Sequence, residues 1–216
     1  MEQRELILLT VINAWKKIIE TKLIPVIKKT IENTDEWLEG NIYNYKPDMI
    51  YEEGYYAKQQ NIILCAANPN IKKVLEIGFN SGFSTLLMLL SNPNIYVTCV
   101  DINIHPYTVP CYNIIKQYFG DRINLLIGDS TVVVPTIKDT FDLIHIDGAH
   151  HPLIAERDIV NSIRLCNNNC VLIMDDTDMF ELNTLWNHYI FTYNLTDYPY
   201  DLVDTFKHSI KQYVKT

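Results

Sequence analysis

Glycine is scarce, with seven in 216 residues, and no G-x-G-x-x-G run exists. The one glycine turn that follows an apolar run carries Asn80 where that pattern needs its second glycine, which excludes the dinucleotide fingerprint. Paired cysteines are missing too. Cys65, Cys99, Cys111, Cys166 and Cys170 form no C-x-x-C and no short-spaced Cys/His set, so they suit neither a disulfide frame nor a zinc site. Basic excess is absent: 18 Lys and Arg against 26 Asp and Glu leave a net charge of -8 and no general footprint for nucleic acid or anionic lipid. No long apolar run occurs at the start, where Glu2, Arg4 and Glu5 precede Leu6 to Ile12 and Asn13, Lys16 and Lys17 follow. Such a segment is neither a signal peptide nor a membrane span, and with reduced thiols it gives an expected location in the cytoplasm. Internal repeats and low-complexity linkers are also lacking.

Hydrophobic residues make up 48% of the chain, enough to bury one substantial core. Residues 2 to 39 read as helical with Pro25 as the break, and Tyr51 to Ala67 as a third helix. From Lys73 the pattern changes. Short β-branched runs near 73–77, 95–100, 123–127, 141–146 and 170–174 alternate with longer mixed segments, and they lack polar alternation. That predicts an α/β, Rossmann-like doubly wound sheet, mostly parallel, covered by helices on both faces. Leu182 to Tyr193 reads as a late helix, and Leu202-Val203 with Ile210 to Val214 as a closing antiparallel pair. The expected division is an N-terminal helical extension over 1–67 and the α/β domain over 68–216. The first helix is apolar over a wide arc, so it either covers the core or forms a dimer contact.

The sharpest motif is Glu76-Ile77-Gly78-Phe79-Asn80-Ser81-Gly82-Phe83-Ser84, directly after Val74-Leu75. Its glycines allow a tight turn and the close approach of a ligand, and Thr85 to Leu90 supplies the following helix. Charge selects the ligand. Glu76, Asp101 and Asp129 each close a candidate strand, and a doubly wound sheet gathers strand ends in one crevice. Such a cluster repels a pyrophosphate and tolerates a cationic sulfonium with its ribose and ammonium group, which points to S-adenosylmethionine.

A second constellation follows the next strands: Phe141 to Ile146 ends in Asp147-Gly148-Ala149-His150-His151, and Cys170 to Met174 ends in Asp175-Asp176-Thr177-Asp178. Neighbouring strands lie about 4.8 Å apart, so these carboxylates converge if the strands pair. Either they hold a hard divalent cation such as magnesium, with Asp147, Asp175 and Asp176 as ligands, or they are solvated turn formers.

With these residues in view, the chain resembles class I S-adenosylmethionine-dependent methyltransferases. More narrowly it is similar to the small metal-dependent O-methyltransferases, those acting on catechol, caffeoyl-coenzyme A and above all sugars. The likeness covers roughly residues 50 to 215, and Glu76, Gly78, Gly82, Phe83 and Ser84 satisfy the group's E-x-G-x-x-x-G-[YF]-S. It implies that Glu76, Gly78, Asn80 and Ser84 hold the methionine part, Asp101 the ribose hydroxyls, and Asp129 with Ser130 the adenine, with Phe79, Ile102 and Asp147 also in the donor site. Catechol-type relatives close the metal triad with Asn and sugar-type relatives with Asp, so Asp176 favours the sugar type. Two departures concern the base. The catechol-type Lys position holds His150, and the sugar-type acid position holds Ala149. His150 is the expected catalytic base, since imidazole titrates near neutrality, with His151 as backup; its bland role is a capping His before Pro152. His145 reads as a core residue and Asp178 as a helix cap. Tyr51, Tyr55, Tyr56, Trp186 and Tyr189 either line a substrate mouth or pack the core.

The expected function is divalent-metal-assisted methyl transfer to a hydroxyl of a small molecule such as a sugar or nucleotide sugar, by an enzyme that forms a homodimer if the first helix is a contact. Rival readings are a metal-independent methyltransferase on a phenol, amine or protein side chain, and a non-catalytic module of the same fold. Nucleic-acid substrates rank below both because a basic groove is missing.

Overall fold

Apolar residues spaced by three and four bury one stripe of the first helix, Leu8, Val11, Ile12 and Trp15, while Leu6 and Leu9 on its other side stay exposed. A computed structural model describes residues 2–38, 43–44, 50–51 and 56–215. In it α1 (Glu2–Ile18) passes through a π-helical turn (Ile19–Leu23) into α2 (Ile24–Ile31). Pro25 explains the turn: it has no N–H to donate, and the Ile24 N–H reaches back to Ile19 O. The helix stops at Ile31, short of the expected 39. There the Thr34 N–H and Oγ1 both donate to Ile31 O at 3.0 Å, giving the chain an exit. β1 (Tyr43–Asn44) and β2 (Ile50–Tyr51) pair antiparallel, so Tyr51 belongs to a strand, and α3 runs from Tyr56 to Ala66.

Strands and helices then alternate as β3 (Lys73–Ile77), α4 (Phe83–Ser91), β4 (Tyr96–Asp101), α5 (Thr108–Phe119), β5 (Ile123–Ile127), α6 (Ser130–Val133), β6 (Phe141–Ile146), α7 (Pro152–Arg164), β7 (Cys166–Asp175), α8 (Phe180–Thr192), β8 (Thr196–Asp197) and β9 (His208–Tyr213). They build a seven-stranded sheet in the order β5-β4-β3-β6-β7-β9-β8. All pairs from β5 to β7 are parallel, and β9 runs antiparallel to both its neighbours. Successive strand residues face opposite layers. Val74, Leu143 and Val171 join one apolar cluster with α1 to α5, whereas Leu75, Ile144 and Leu172 join another with α7 and α8. Both sets are buried, which is why these strands read as continuous apolar runs.

Two elements differ from expectation. β7 starts at Cys166, because the polar Asn167, Asn168 and Asn169 extend it past an irregularity opposite Phe141 to Leu143. Leu202-Val203 is no strand: the Asn61 side chain takes the ladder's role there, accepting from Val203 N–H at 2.7 Å and donating to Val203 O at 2.8 Å. The antiparallel partner of β9 on that side is β8. Among the described residues no helix is long and apolar enough to cross a membrane.

The first helix covers α4 and α3, and Trp15 fixes it there. Its indole Nε1 donates to Phe83 O at 2.7 Å, at the start of the helix that follows the glycine turn. Trp15→Phe removes that donor and part of a fully buried ring, so a loss of about 2–4 kcal/mol is expected in urea unfolding. An unchanged stability would show that the bond contributes nothing.

Candidate active site

The carboxyl ends of β3, β4, β5 and β6 open on a cleft of about 400 Å³. It lies where strand order reverses, between β3 and β6, the usual ligand crevice of a doubly wound sheet. Gly78 sits at φ +93°, and a Cβ there would stand 1.9 Å from the carbonyl oxygen of Asp147. Only glycine lets the two loops touch. Asn80, at φ +51°, takes the left-handed conformation that Asn tolerates. Its N–H donates to Asp101 Oδ2 at 2.7 Å, while Asp101 Oδ1 accepts from the Asn103 N–H at 2.6 Å. One carboxylate thus pins the loops after β3 and β4.

Most of the residues expected around the donor line this cleft: Gly78, Phe79, Asn80, Ser84, Asp101, Ile102, Asp129, Ser130 and Asp147, with His150 and Asp176 beside them. Asp129 caps α6, and the Thr131 side chain and N–H that donate to it hold its carboxyl below the ordinary range. Glu76 has a different place. It is 0% exposed beneath the turn, where Oε1 accepts from Ser84 Oγ at 2.5 Å and Oε2 from Thr85 Oγ1. Its link to the cleft runs through Ser84. Ile104, His105 and Ile154 also line the cleft and escaped the sequence reading. His105 stacks on Tyr107 with ring centroids 5.1 Å apart, and its Nδ1 lies 3.2 Å from Glu36 Oε1. The available signal was position, since Asn103 to Pro106 follow the carboxylate that ends β4.

The acidic edge comes from register. Ile146 pairs with Met174 across β6 and β7, so Asp147 and Asp175 follow side by side. Asp176 then turns the chain at φ +53°, sending adjacent carboxylates into different surroundings. Asp176 meets His150, with Oδ2 2.7 Å from Nε2, and both are partly exposed. Asp175 is buried, pairs with Lys58 Nζ and lies 3.6 Å from His145 Nε2. Among the described residues, two sets place ligand atoms within 4.8 Å of one another: Asp147, His150 and Asp176, and His145, Asp147 and Asp175. The expected triad is therefore divided, with Asp147 common to both halves. Lys58 escaped the sequence reading because it lies on α3, far from either acidic motif in the chain.

His145 is a core residue, as its strand position implied, and it lies between two carboxylates. Its Nδ1 lies 3.2 Å from Glu76 Oε1. Burial opposes the imidazolium, but Asp175 and Glu76 outweigh it and raise its pKa to about 10. The Asp175 carboxyl moves down despite burial, held by Lys58 and His145. Lys58 is pushed up because Asp175, Asp147 and Asp176 together overcome its desolvation. Burial, and then the charge of Asp175, lift the Asp147 carboxyl well above the ordinary range. Asp178 does not cap α8: Met179 holds the N-cap position, and Asp178 pairs with Lys207 at 3.0 Å. Trp186 and Tyr189 are buried in the cluster beneath α7 and α8, so they pack the core. The side chains of Tyr51 and Tyr55 lie outside the described residues.

Residues 75–177 match a family model described as a methyltransferase domain. The fold is similar to that of the O-methyltransferase NovP, at 15% identity over 89% of this chain and 98% of that one, with a TM-score of 0.64. It is also similar to SAH-bound PaMTH1 of Podospora anserina, at 15% identity over 96% and 94% of the chains and a TM-score of 0.62. TomG of Streptomyces achromogenes, an O-methyltransferase solved with SAM, gives 12% identity, 90% of each chain and 0.60. At these identities the likeness to solved structures is one of fold.

A histidine whose folded pKa lies near 10 against 6.5 unfolded stabilises the protein fully below pH 6.5, and that contribution fades as pH rises toward 10. The stability gap between wild type and His145→Gln is accordingly expected to be widest at pH 6 and to shrink by pH 10. Thermal unfolding at several pH values measures it, and a gap independent of pH would exclude the imidazolium.

Proposed function

We propose that this chain, whose residues 75–177 match a methyltransferase-domain model, binds S-adenosylmethionine and transfers its methyl group to a hydroxyl of a small molecule. The acceptor class is a vicinal diol such as a sugar, glycoside or nucleotide sugar presents. One observation carries the reading: a histidine and a carboxylate, His150 and Asp176, stand 2.7 Å apart in the cleft that also contains the glycine turn.

The donor's methionine part would lie on Gly78, Phe79, Asn80 and Ser84, its ribose by Asp101, and its adenine by Ile102, Asp129 and Ser130. Negative charge from Asp101, Asp129 and Asp176 favours the sulfonium and ammonium groups there. His150 takes the acceptor's hydroxyl proton, and Asp176 orients the ring and stabilises the imidazolium that forms. The oxygen attacks the methyl carbon in line, the C–O bond forms as the S–C bond breaks, and the products are a methyl ether and S-adenosylhomocysteine. Holding both reactants at about 3–3.5 Å supplies much of the rate.

The donor set fits a divalent cation in part. Asp147 and Asp176 would hold one, since magnesium is commonly bound through one or two carboxylates with water and substrate oxygens completing the shell. When bound it would supply Lewis-acid stabilisation of the deprotonated acceptor. Asp175, paired with Lys58, stands outside that set. The same pair favours metal-independent transfer as the second reading, because a positive charge already sits among the carboxylates.

A methyl-transfer screen against nucleotide sugars, glycosides and catechols, with and without added divalent ion, tests the acceptor class. His150→Ala is expected to lower transfer by about 10²- to 10⁴-fold while S-adenosylmethionine still raises the melting temperature. Full activity in that variant would remove His150 from the reaction. A donor that leaves the wild-type melting temperature unchanged would favour a non-catalytic module.

A further inference from the structure

We propose that the Lys58 ammonium is the resident cation of the acidic edge: by pairing with Asp175 it withdraws that carboxylate from the ligand set and weakens the edge's hold on a divalent ion. The inference rests on the reading of this edge as a place where such an ion can bind. Lys58 is delivered by α3, outside the strands that supply the carboxylates, and its side chain is 14% exposed against 1% for Asp175. An ammonium so placed is a fixed part of the interior and not a rim charge. Its electrostatic partners are Asp175, Asp147 and Asp176, the three residues expected to ligate metal.

Asp175 has a second neighbour that turns it the same way. His145 Nε2 lies 3.6 Å from the same Oδ2 that Lys58 contacts, and the other oxygen, Oδ1, accepts from the Asp176 N–H at 2.8 Å. Both oxygens are thus engaged within the protein. A divalent ion approaching Asp147 and Asp176 meets two carboxylates in place of three and an ammonium close behind them. Cation sites gain affinity with ligand charge count, so removing the ammonium both frees a carboxylate and lifts a repulsion.

Manganese binding reads this directly on the full chain without donor or acceptor, from loss of the free-ion signal in electron paramagnetic resonance. Lys58→Met is expected to bind manganese at least about tenfold tighter than wild type, and Lys58→Arg to bind like wild type. In Lys58→Met/Asp175→Asn the gain disappears, because Asp175 is the recruited ligand. Lys58→Gln, which keeps a polar side chain at the buried position, supplies a second arm that does not depend on Lys58→Met folding, with the same tightening of at least about tenfold expected. Binding to Lys58→Met or Lys58→Gln no tighter than to wild type overturns the proposal, as does a gain that persists when Asp175→Asn is added. Failure of the metal-assisted reading shows separately, as wild-type transfer that is unaffected by chelator.

Discussion

A buried line of alternating charge, Lys58, Asp175, His145 and Glu76, ties α3 to three adjacent strands beneath the cleft. None of these groups could be buried alone, because an uncompensated interior charge costs several kcal/mol. Together they cancel in sign. The arrangement follows from topology: β6 lies between β3 and β7, Glu76 is the register partner of His145, and Ile173, two residues before Asp175, is the partner on the other side. Removing one member leaves its neighbour unpaired, a loss of about 3–5 kcal/mol in comparable buried pairs.

That line also sets what the cleft presents. At one end Glu76 gathers the hydroxyls of Ser84 and Thr85, which fixes the first turn of α4 and so the mouth of the glycine turn. At the other end Asp175 is spent on Lys58 and His145, leaving Asp147 and Asp176 to line the cleft. A single left-handed residue, Asp176, makes this separation possible by turning neighbouring carboxylates apart. Asp147 sits between the two environments and feels the charge of Asp175 as well as burial, which explains the rise of its carboxyl.

β3 and β6 were legible because both of their faces are buried, so the apolar runs at 73–77 and 141–146 have no competing pattern. The turn was legible because Gly78 and Gly82 occupy positions where a side chain would strike neighbouring atoms. What stayed hidden depends on side chains acting as backbone or as counter-ions. Asn61 imitates a strand at Val203, so the apolar pair there misleads. Three asparagines follow Cys166 in β7, within the irregularity opposite Phe141 to Leu143, and their polarity masks the start of the strand. Lys58 is an ordinary helical lysine until the sheet brings Asp175 to it, and Glu76 looks like a ligand contact until its two hydroxyl donors are seen. Spacing along the chain records periodicity well, but it records the partner of a buried charge poorly.

The residues before the first parallel strand shape the electrostatics of the cleft as well as its packing. Lys58 reaches the acidic edge, Glu36 meets His105 in the cleft lining, and Trp15 holds the start of α4. The apolar cluster that contains Val74 and Val97 continues without a break into Ile19, Leu23 and Ile27. A sheet stripped of those helices would expose that cluster to water and leave Asp175 without its ammonium, so burial and charge compensation fail together. α3 supplies both the Lys58 ammonium and apolar contacts, so a change in it that preserves those contacts can still alter the electrostatics of the acidic edge.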